Sequence, residues 1–165
     1  MKSEGFTITE LIVVIAIMSI LLAISTLEFS SWQKKNFMEK HTKELYTDLQ
    51  DIRMKAAFTK IPHRAVFSGN QVSFQQFVGA AWIQAQPGVK TFPYNLNRPA
   101  DWTTDNVEFD TRGIVNSPIV MIVCLGLGSD VDASYDAVII TSALTNMGKI
   151  MNRGGQCART NVEQK

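Results

Sequence analysis

Residues 5–24 read Gly-Phe-Thr-Ile-Thr-Glu-Leu-Ile-Val-Val-Ile-Ala-Ile-Met-Ser-Ile-Leu-Leu-Ala-Ile, and this stretch decides the fold. Between Leu11 and Ile24 every side chain except Ser19 is apolar. A helix of about 20 residues is roughly 30 Å long, which matches the hydrocarbon thickness of a bilayer. The sequence therefore predicts a single membrane-spanning helix over residues 6–29.

Glu10 lies at the start of this apolar run. A carboxylate there costs a few kcal/mol unless it faces a partner, so the pattern predicts a functional role for Glu10 rather than an ordinary anchor. A secretory signal peptide is the alternative, because Lys2 precedes the run. However, Ala23, Ser25 and Thr26 match a cleavage site poorly, and the distinctive glycine lies before the apolar segment.

Gly5, then Phe6, then Glu10 at the fifth position counted from Phe6 resemble the N-terminus of the type IV pilin superfamily. The resemblance implies that residues 1–5 are a leader, which prepilin peptidase removes on the cytoplasmic side by cleaving between Gly5 and Phe6. It also implies that the new amine of Phe6 is methylated and that Glu10 pairs with the amine of a neighbouring subunit. Many pilins carry a helix-kinking proline where this chain has Leu27.

The second half of the chain looks like the soluble domain of the GspH/FimT family of minor pseudopilins and minor pilins. The similarity rests on Phe109–Gly113, an apolar strand ending in Cys124, Val138–Thr141, and Asn146–Ile150 before Cys157. It implies a structural subunit of a type II secretion pseudopilus or a type IV pilus, acting in its assembly or at its tip. The expected location is the bacterial inner membrane as a single-pass protein, with residues 30–165 in the periplasm, and the fibre after assembly. The implied partners are prepilin peptidase and other pilin or pseudopilin subunits, packed through the N-terminal helix in the fibre core.

The helical pattern continues past the apolar run to about Thr59. A stripe of apolar residues recurs at spacings of four, three and four, which places it on one helix face: Leu45, Leu49, Ile52 and Ala56. Pro62 ends the helix, because the residue before proline is disfavoured in the α region.

After Pro62 the sequence predicts one antiparallel sheet packed on the helix, which is an α+β fold. Gly69-Asn70 indicates a hairpin turn between two β-rich segments. The predicted strands are His63–Ser68, Gln71–Phe77, Val107–Phe109, Ile119–Leu125, Tyr135–Thr141 and, as the last one, Gly148–Met151. Residues 78–106 show no periodicity and indicate a long irregular loop, which contains one short strand at most. Its aromatic residues either cover the sheet or mark a contact surface.

Composition limits the function further. The net charge is +1, which does not favour general binding to polyanions. Two cysteines, Cys124 and Cys157, are compatible with a disulfide in an exported domain. The alternative is that Cys124 is a buried thiol within an apolar strand.

No pattern for catalysis, a cofactor or a metal emerges, so we expect neither an enzyme nor a cofactor. His41 and His63 have no Cys, Asp or Glu at metal-ligand spacing. The acidic residues from Asp130 to Asp136 alternate like the start of a calcium loop, but Tyr135 replaces the required glycine. A solvated acidic hairpin loop is the alternative.

DNA uptake is the competing function. Lys149, Arg153 and Arg159, with Lys165 at the end, could contact phosphates as a DNA-binding minor pilin would. The nearby acidic residues and the absence of interleaved aromatic residues argue against this alternative.

Overall fold

The computed structural model describes residues 7–117 and 120–165, and over residues 24–28 it describes the backbone without the side chains. The chain divides into two compact units, of which the first ends at Lys34 and the second begins at Lys35. Gly5 and Phe6 lie outside the described residues, as does Ile119 at the start of one predicted strand.

Helix α1 comprises Ile8–Thr59, as the sequence predicts. The hydroxyl of Thr7 accepts a hydrogen bond from the amide of Glu10 at 3.3 Å, which satisfies one of the amides left free at a helix start. The carboxylate of Glu10 lies in the first turn, where the helix dipole favours negative charge. Beyond Thr59 the chain leaves the helix at Lys60, whose φ is 58°.

Within the described residues nine strands form two antiparallel sheets, where the sequence predicts one. The first sheet has the order β3-β2-β1-β5 and the second the order β4-β6-β7-β8-β9. The strands are β1 (His63–Ser68), β2 (Gln71–Val78), β3 (Ala81–Thr91), β4 (Leu96–Asn97), β5 (Asn106–Phe109), β6 (Met121–Leu125), β7 (Ala137–Ile140), β8 (Thr145–Ile150) and β9 (Val162–Gln164). The predicted hairpin around Gly69-Asn70 is confirmed as β1 and β2.

Two predictions about the strands are wrong. The segment 78–106 is not an irregular loop, because it contains β3, which has eleven residues, and β4. Pro87 and Gly88 suggest a break in the sequence, but the pairing with β2 skips from Gln84 to Val89, so β3 accommodates both residues in a bulge. Gly148–Met151 is not the last strand either, since β9 adds to the edge of β8.

The main core lies between the second half of α1 and the sheets. The predicted stripe of Leu45, Leu49, Ile52 and Ala56 is fully buried. It packs in one cluster with side chains from both sheets, among them Ala65, Phe67, Phe74, Val107, Phe109, Val123, Leu125 and Ile140. The confirmed architecture is therefore a long helix packed on antiparallel β-structure.

The aromatic residues of segment 78–106 do not share one role. Phe92 and Trp102 are buried in the main core, and the ring of Trp102 packs edge-on against Phe67 with centroids 5.6 Å apart. Tyr94 is partly buried against the same cluster. Trp82 instead lies on the outer face of the first sheet, as described below.

A second, smaller core lies on the other side of the second sheet. It contains Ile122, Ala137, Ile139 and Ile150 together with Cys124 and Cys157. The two cysteines form a disulfide that joins β6 to the segment after β8, and both are buried. The bridge spans 33 positions of sequence, so it restricts the unfolded chain substantially.

The helix-to-sheet core yields a stability prediction. Leu49→Ala should lower the free energy of unfolding by about 2–5 kcal/mol, because it removes buried contacts and leaves a cavity. The matched control is Leu144→Ala, since Leu144 is exposed. Urea unfolding of both variants checks this, and equal losses would contradict the assignment of the core.

Candidate functional site

The N-terminal part of α1 exposes an almost continuous apolar surface. Its large hydrophobic side chains are between 43% and 79% exposed, and they occupy all sides of the helix. They are Ile8, Leu11, Ile12, Val13, Val14, Ile15, Ile17, Met18, Ile20, Leu21 and Leu22. An apolar surface this large marks an interaction site in a folded protein.

Polar groups on this helix segment are few. Ser19 donates its hydroxyl hydrogen to the carbonyl of Ile15 at 2.7 Å, so it is satisfied within the helix. The side chain of Glu10 is exposed, and none of the ion pairs formed between described residues involves it. Glu10 is therefore an ionisable group at the edge of an apolar surface.

No helical segment is long and apolar enough to cross a membrane within the part of the chain that the structure describes.

The four cations predicted to contact DNA are each paired with a carboxylate, and Lys165 at the end of the chain lies 3.1 Å from Glu163. Lys149 lies 2.8 Å from Asp132, and Arg159 lies 2.8 Å from Asp101. Arg153 pairs with Asp136. Binding to phosphates needs cations whose charge is available, so this arrangement gives DNA binding no support, and that function stays a prediction.

Asp136 is the group that differs most from its predicted setting. The solvated acidic loop expected there is wrong for this residue, which is completely buried. One carboxylate oxygen accepts the amide hydrogen of Ile150 at 2.6 Å, and the other accepts from the guanidinium of Arg153. Burial raises the pKa of the Asp136 carboxyl, while the Ile150 amide and the Arg153 guanidinium act in the opposite direction.

The other acidic residues of this loop do not form a cluster of carboxylates. Asp132 is largely exposed and pairs with Lys149, whose hydrogen bond and charge lower the pKa of the Asp132 carboxyl. Among residues 7–117 and 120–165 no three His, Cys, Asp or Glu side chains form a group that could hold a metal ion. The loop is organised by ion pairs with β8 and the turn after it.

The sequence gives almost no signal for the Asp136–Arg153 pair. Asp136 alternates with other acidic residues of the loop, and Arg153 directly precedes two glycines. Both of these sequence patterns are typical of solvent-exposed turns. The one available signal is that Asp136 directly precedes the apolar strand β7. A carboxylate at this position can be buried together with the strand.

Comparisons with known proteins identify a motif at the N-terminus of the chain. Residues 1–26 match the family model of the prokaryotic N-terminal methylation motif. A search of curated protein sequences found no match.

Among solved structures, the chain is similar to the minor pseudopilin EpsH from the type II secretion system of Vibrio cholerae. One crystal structure of EpsH has a TM-score of 0.55 at 12% identity and covers 68% of this chain and 94% of its own. A second EpsH structure has a TM-score of 0.52 at 11% identity and covers 73% and 99%. The type IV minor pilin FimU of Pseudomonas aeruginosa has a TM-score of 0.46 at 12% identity, over 81% and 92% of the two chains, which is too low for an argument about the fold.

These findings confirm the resemblance at both ends of the chain. The chain carries an N-terminal methylation motif and has a type IV pilin-like fold, in which a long helix packs on antiparallel sheets. More particularly, the fold of its domain is that of a minor pseudopilin.

The buried pair of Asp136 and Arg153 yields a second stability prediction. Asp136→Ala should lower the free energy of unfolding by about 3–5 kcal/mol, because Arg153 and the amide of Ile150 lose their partner inside the protein. Asp132→Ala is the control, since its ion pair is exposed and should contribute less than about 1 kcal/mol. Thermal or urea unfolding measures both, and a small effect of Asp136→Ala would contradict the role of this pair.

Proposed function

We propose that the protein is a structural minor pseudopilin or minor pilin, incorporated into a type II secretion pseudopilus or a type IV pilus. The observation that carries the proposal is the exposed, all-round apolar segment of α1 from Ile8 to Leu22, which lies within the N-terminal methylation motif and carries Glu10 in its first turn. A surface with these properties is suited to a membrane before assembly and to packing among other helices afterwards.

Helix packing supplies the driving force for incorporation. Each apolar side chain that leaves water or lipid contact for a close-packed helix neighbour gains dispersion contacts, and removal from water adds about 25 cal/mol per Å² of apolar area. The segment from Ile8 to Leu22 presents such side chains on every side, so it can contact several neighbouring helices at once. This property favours the centre of a fibre.

Glu10 would determine the register of that packing. Apolar surfaces alone tolerate sliding, whereas one carboxylate in apolar surroundings requires a partner at a defined position. The amine of Phe6 in a neighbouring processed subunit is the partner that the methylation motif suggests. Gly5, Phe6 and Glu10 would then act together as the processing and docking site.

The proposed location follows from the same features. Before assembly the chain would be anchored in the bacterial inner membrane by residues 6–29, with residues 30–165 in the periplasm. The disulfide between Cys124 and Cys157 supports an oxidising compartment for this domain. The proteins of similar structure are fibre subunits rather than enzymes, which supports a structural role.

Processing gives the first test of the function. Expression of the full chain together with a prepilin peptidase should yield a protein that lacks Met1–Gly5 and begins with a methylated Phe6. Intact-mass spectrometry measures this, with expression lacking the peptidase as the control. If the mass is the same with and without the peptidase, the proposal is wrong.

Glu10→Ala gives the second test. The variant should insert into the membrane like the wild type, because the apolar run is intact, but its recovery in sheared fibres should fall by about tenfold or more as the register is lost. Ser19→Ala is the matched control, since its hydroxyl bonds only within the helix. Membrane fractionation and immunoblotting of sheared fibres measure both steps, and normal incorporation of Glu10→Ala would refute the docking role.

A further inference from the structure

The first sheet has an outer face that no described element covers completely. Along β1 and β2 the buried side chains alternate with partly exposed ones, so Ala65 and Phe74 face the core while Arg64 and Gln75 face outward. Phe77 lies two residues beyond Gln75 and therefore faces outward as well. Trp82 of β3 lies directly opposite Phe77 in the register.

The hairpin of β2 and β3 ends in a patch of exposed apolar side chains. The rings of Phe77 and Trp82 lie with their centroids 5.2 Å apart, and Phe77 is 40% exposed. Val78 and Ile83, on the opposite face of the hairpin, are 43% and 44% exposed. This end of the hairpin is therefore exposed on both faces, and an aromatic pair on an exposed hairpin is typical of a contact surface.

Arg64 is held in place within this patch. Its guanidinium carbon lies 4.2 Å from the centroid of the Trp82 ring, and its Nε donates a hydrogen bond to the Gln75 side-chain oxygen at 2.7 Å. These two contacts fix the orientation of the guanidinium before any partner arrives, which lowers the entropy cost of binding.

The charge of Arg64 has no carboxylate partner among the described residues. Glu108 stands opposite Arg64 in the register of β1 and β5, but the guanidinium lies over Trp82 and forms no ion pair with Glu108. Four of the other five arginines do pair with a carboxylate: Arg98, Arg112, Arg153 and Arg159. Arg64 is therefore an oriented cation next to the partly buried ring of Trp82 and the exposed ring of Phe77, with its charge still available.

We propose that Arg64, Phe77 and Trp82 form a docking patch for a neighbouring protein subunit that presents a carboxylate beside apolar side chains. Tryptophan and arginine dominate the energetics of protein interfaces when they lie together at the centre of a contact. The exposed carboxylate of Glu108 lies next to Arg64 and repels negatively charged partners. This repulsion is stronger for a polyanion such as nucleic acid than for a single carboxylate, so a single carboxylate is favoured as the partner of Arg64. This inference rests on the proposed function, because it takes the partner to be a subunit of the same fibre.

Photocrosslinking in the assembled fibre tests the docking patch. A photoreactive phenylalanine analogue replaces Phe77 in the full chain, and the same analogue replaces Val14 in a parallel strain as a probe of helix packing. We expect the analogue at position 77 to form an adduct with a fibre subunit, and peptide mapping should place the adduct near an aspartate or glutamate of that subunit.

Charge reversal then tests the chemistry of the contact. Arg64→Glu should lower the yield of the adduct at position 77 by about tenfold or more, because two carboxylates would face each other. The yield of the adduct at position 14 should not change, which also shows that the variant folds and assembles. Changing the mapped carboxylate of the partner to lysine should restore the adduct at position 77. Arg112→Glu is the matched control, since Arg112 is an exposed arginine in the turn after β5, and it should leave both adducts unchanged.

The possible outcomes separate this inference from the proposed function. An adduct at position 14 without one at position 77 overturns the docking patch and leaves the fibre function intact. The absence of both adducts refutes the fibre function and the patch with it. An adduct at position 77 that persists in Arg64→Glu, or that is not restored by the reciprocal change, overturns the carboxylate pairing.

Discussion

The burial of one apolar stripe of α1 against the sheets is the interaction on which the domain depends. Leu45, Leu49 and Ile52 are fully buried, and the cluster around them draws side chains from both sheets. Without this stripe neither sheet would have an apolar layer to pack on, because each presents one apolar face to it. The hairpin of β1 and β2 and the strand β6 therefore take their positions from a single helix.

The two halves of α1 obey different physical rules. In the second half the apolar residues form one stripe and charged residues occupy the remainder, as expected for a helix that packs on one side. In the first half the apolar residues surround the helix, and the folded chain itself does not bury them. Exposure of these apolar side chains to water is unfavourable, so the composition of the segment indicates surroundings of lipid or of other helices.

The second sheet is stabilised by a different combination of interactions. The disulfide of Cys124 and Cys157 joins β6 to the segment after β8, and Asp136 joins the start of β7 to the turn after β8. Both links tie the segment after β8 to the second sheet. A covalent bond and a buried ion pair there give the C-terminal segment a defined position that its own side chains would not provide.

The sequence by itself determined the helix, the first hairpin, the α+β class and the N-terminal motif, because each depends on local signals: the spacing of apolar residues, the turn at Gly69-Asn70 and the order of Gly5, Phe6 and Glu10. Only the tertiary structure decided what depends on distant pairing. The bulged strand β3 forms despite Pro87 because β2 lies beside it, and β9 forms because the edge of β8 is open. Asp136 is buried because Arg153, 17 positions away, meets it there, and Arg64 remains available because Trp82 lies beneath it. Local patterns cannot encode such contacts, since the residues involved meet only when the chain folds.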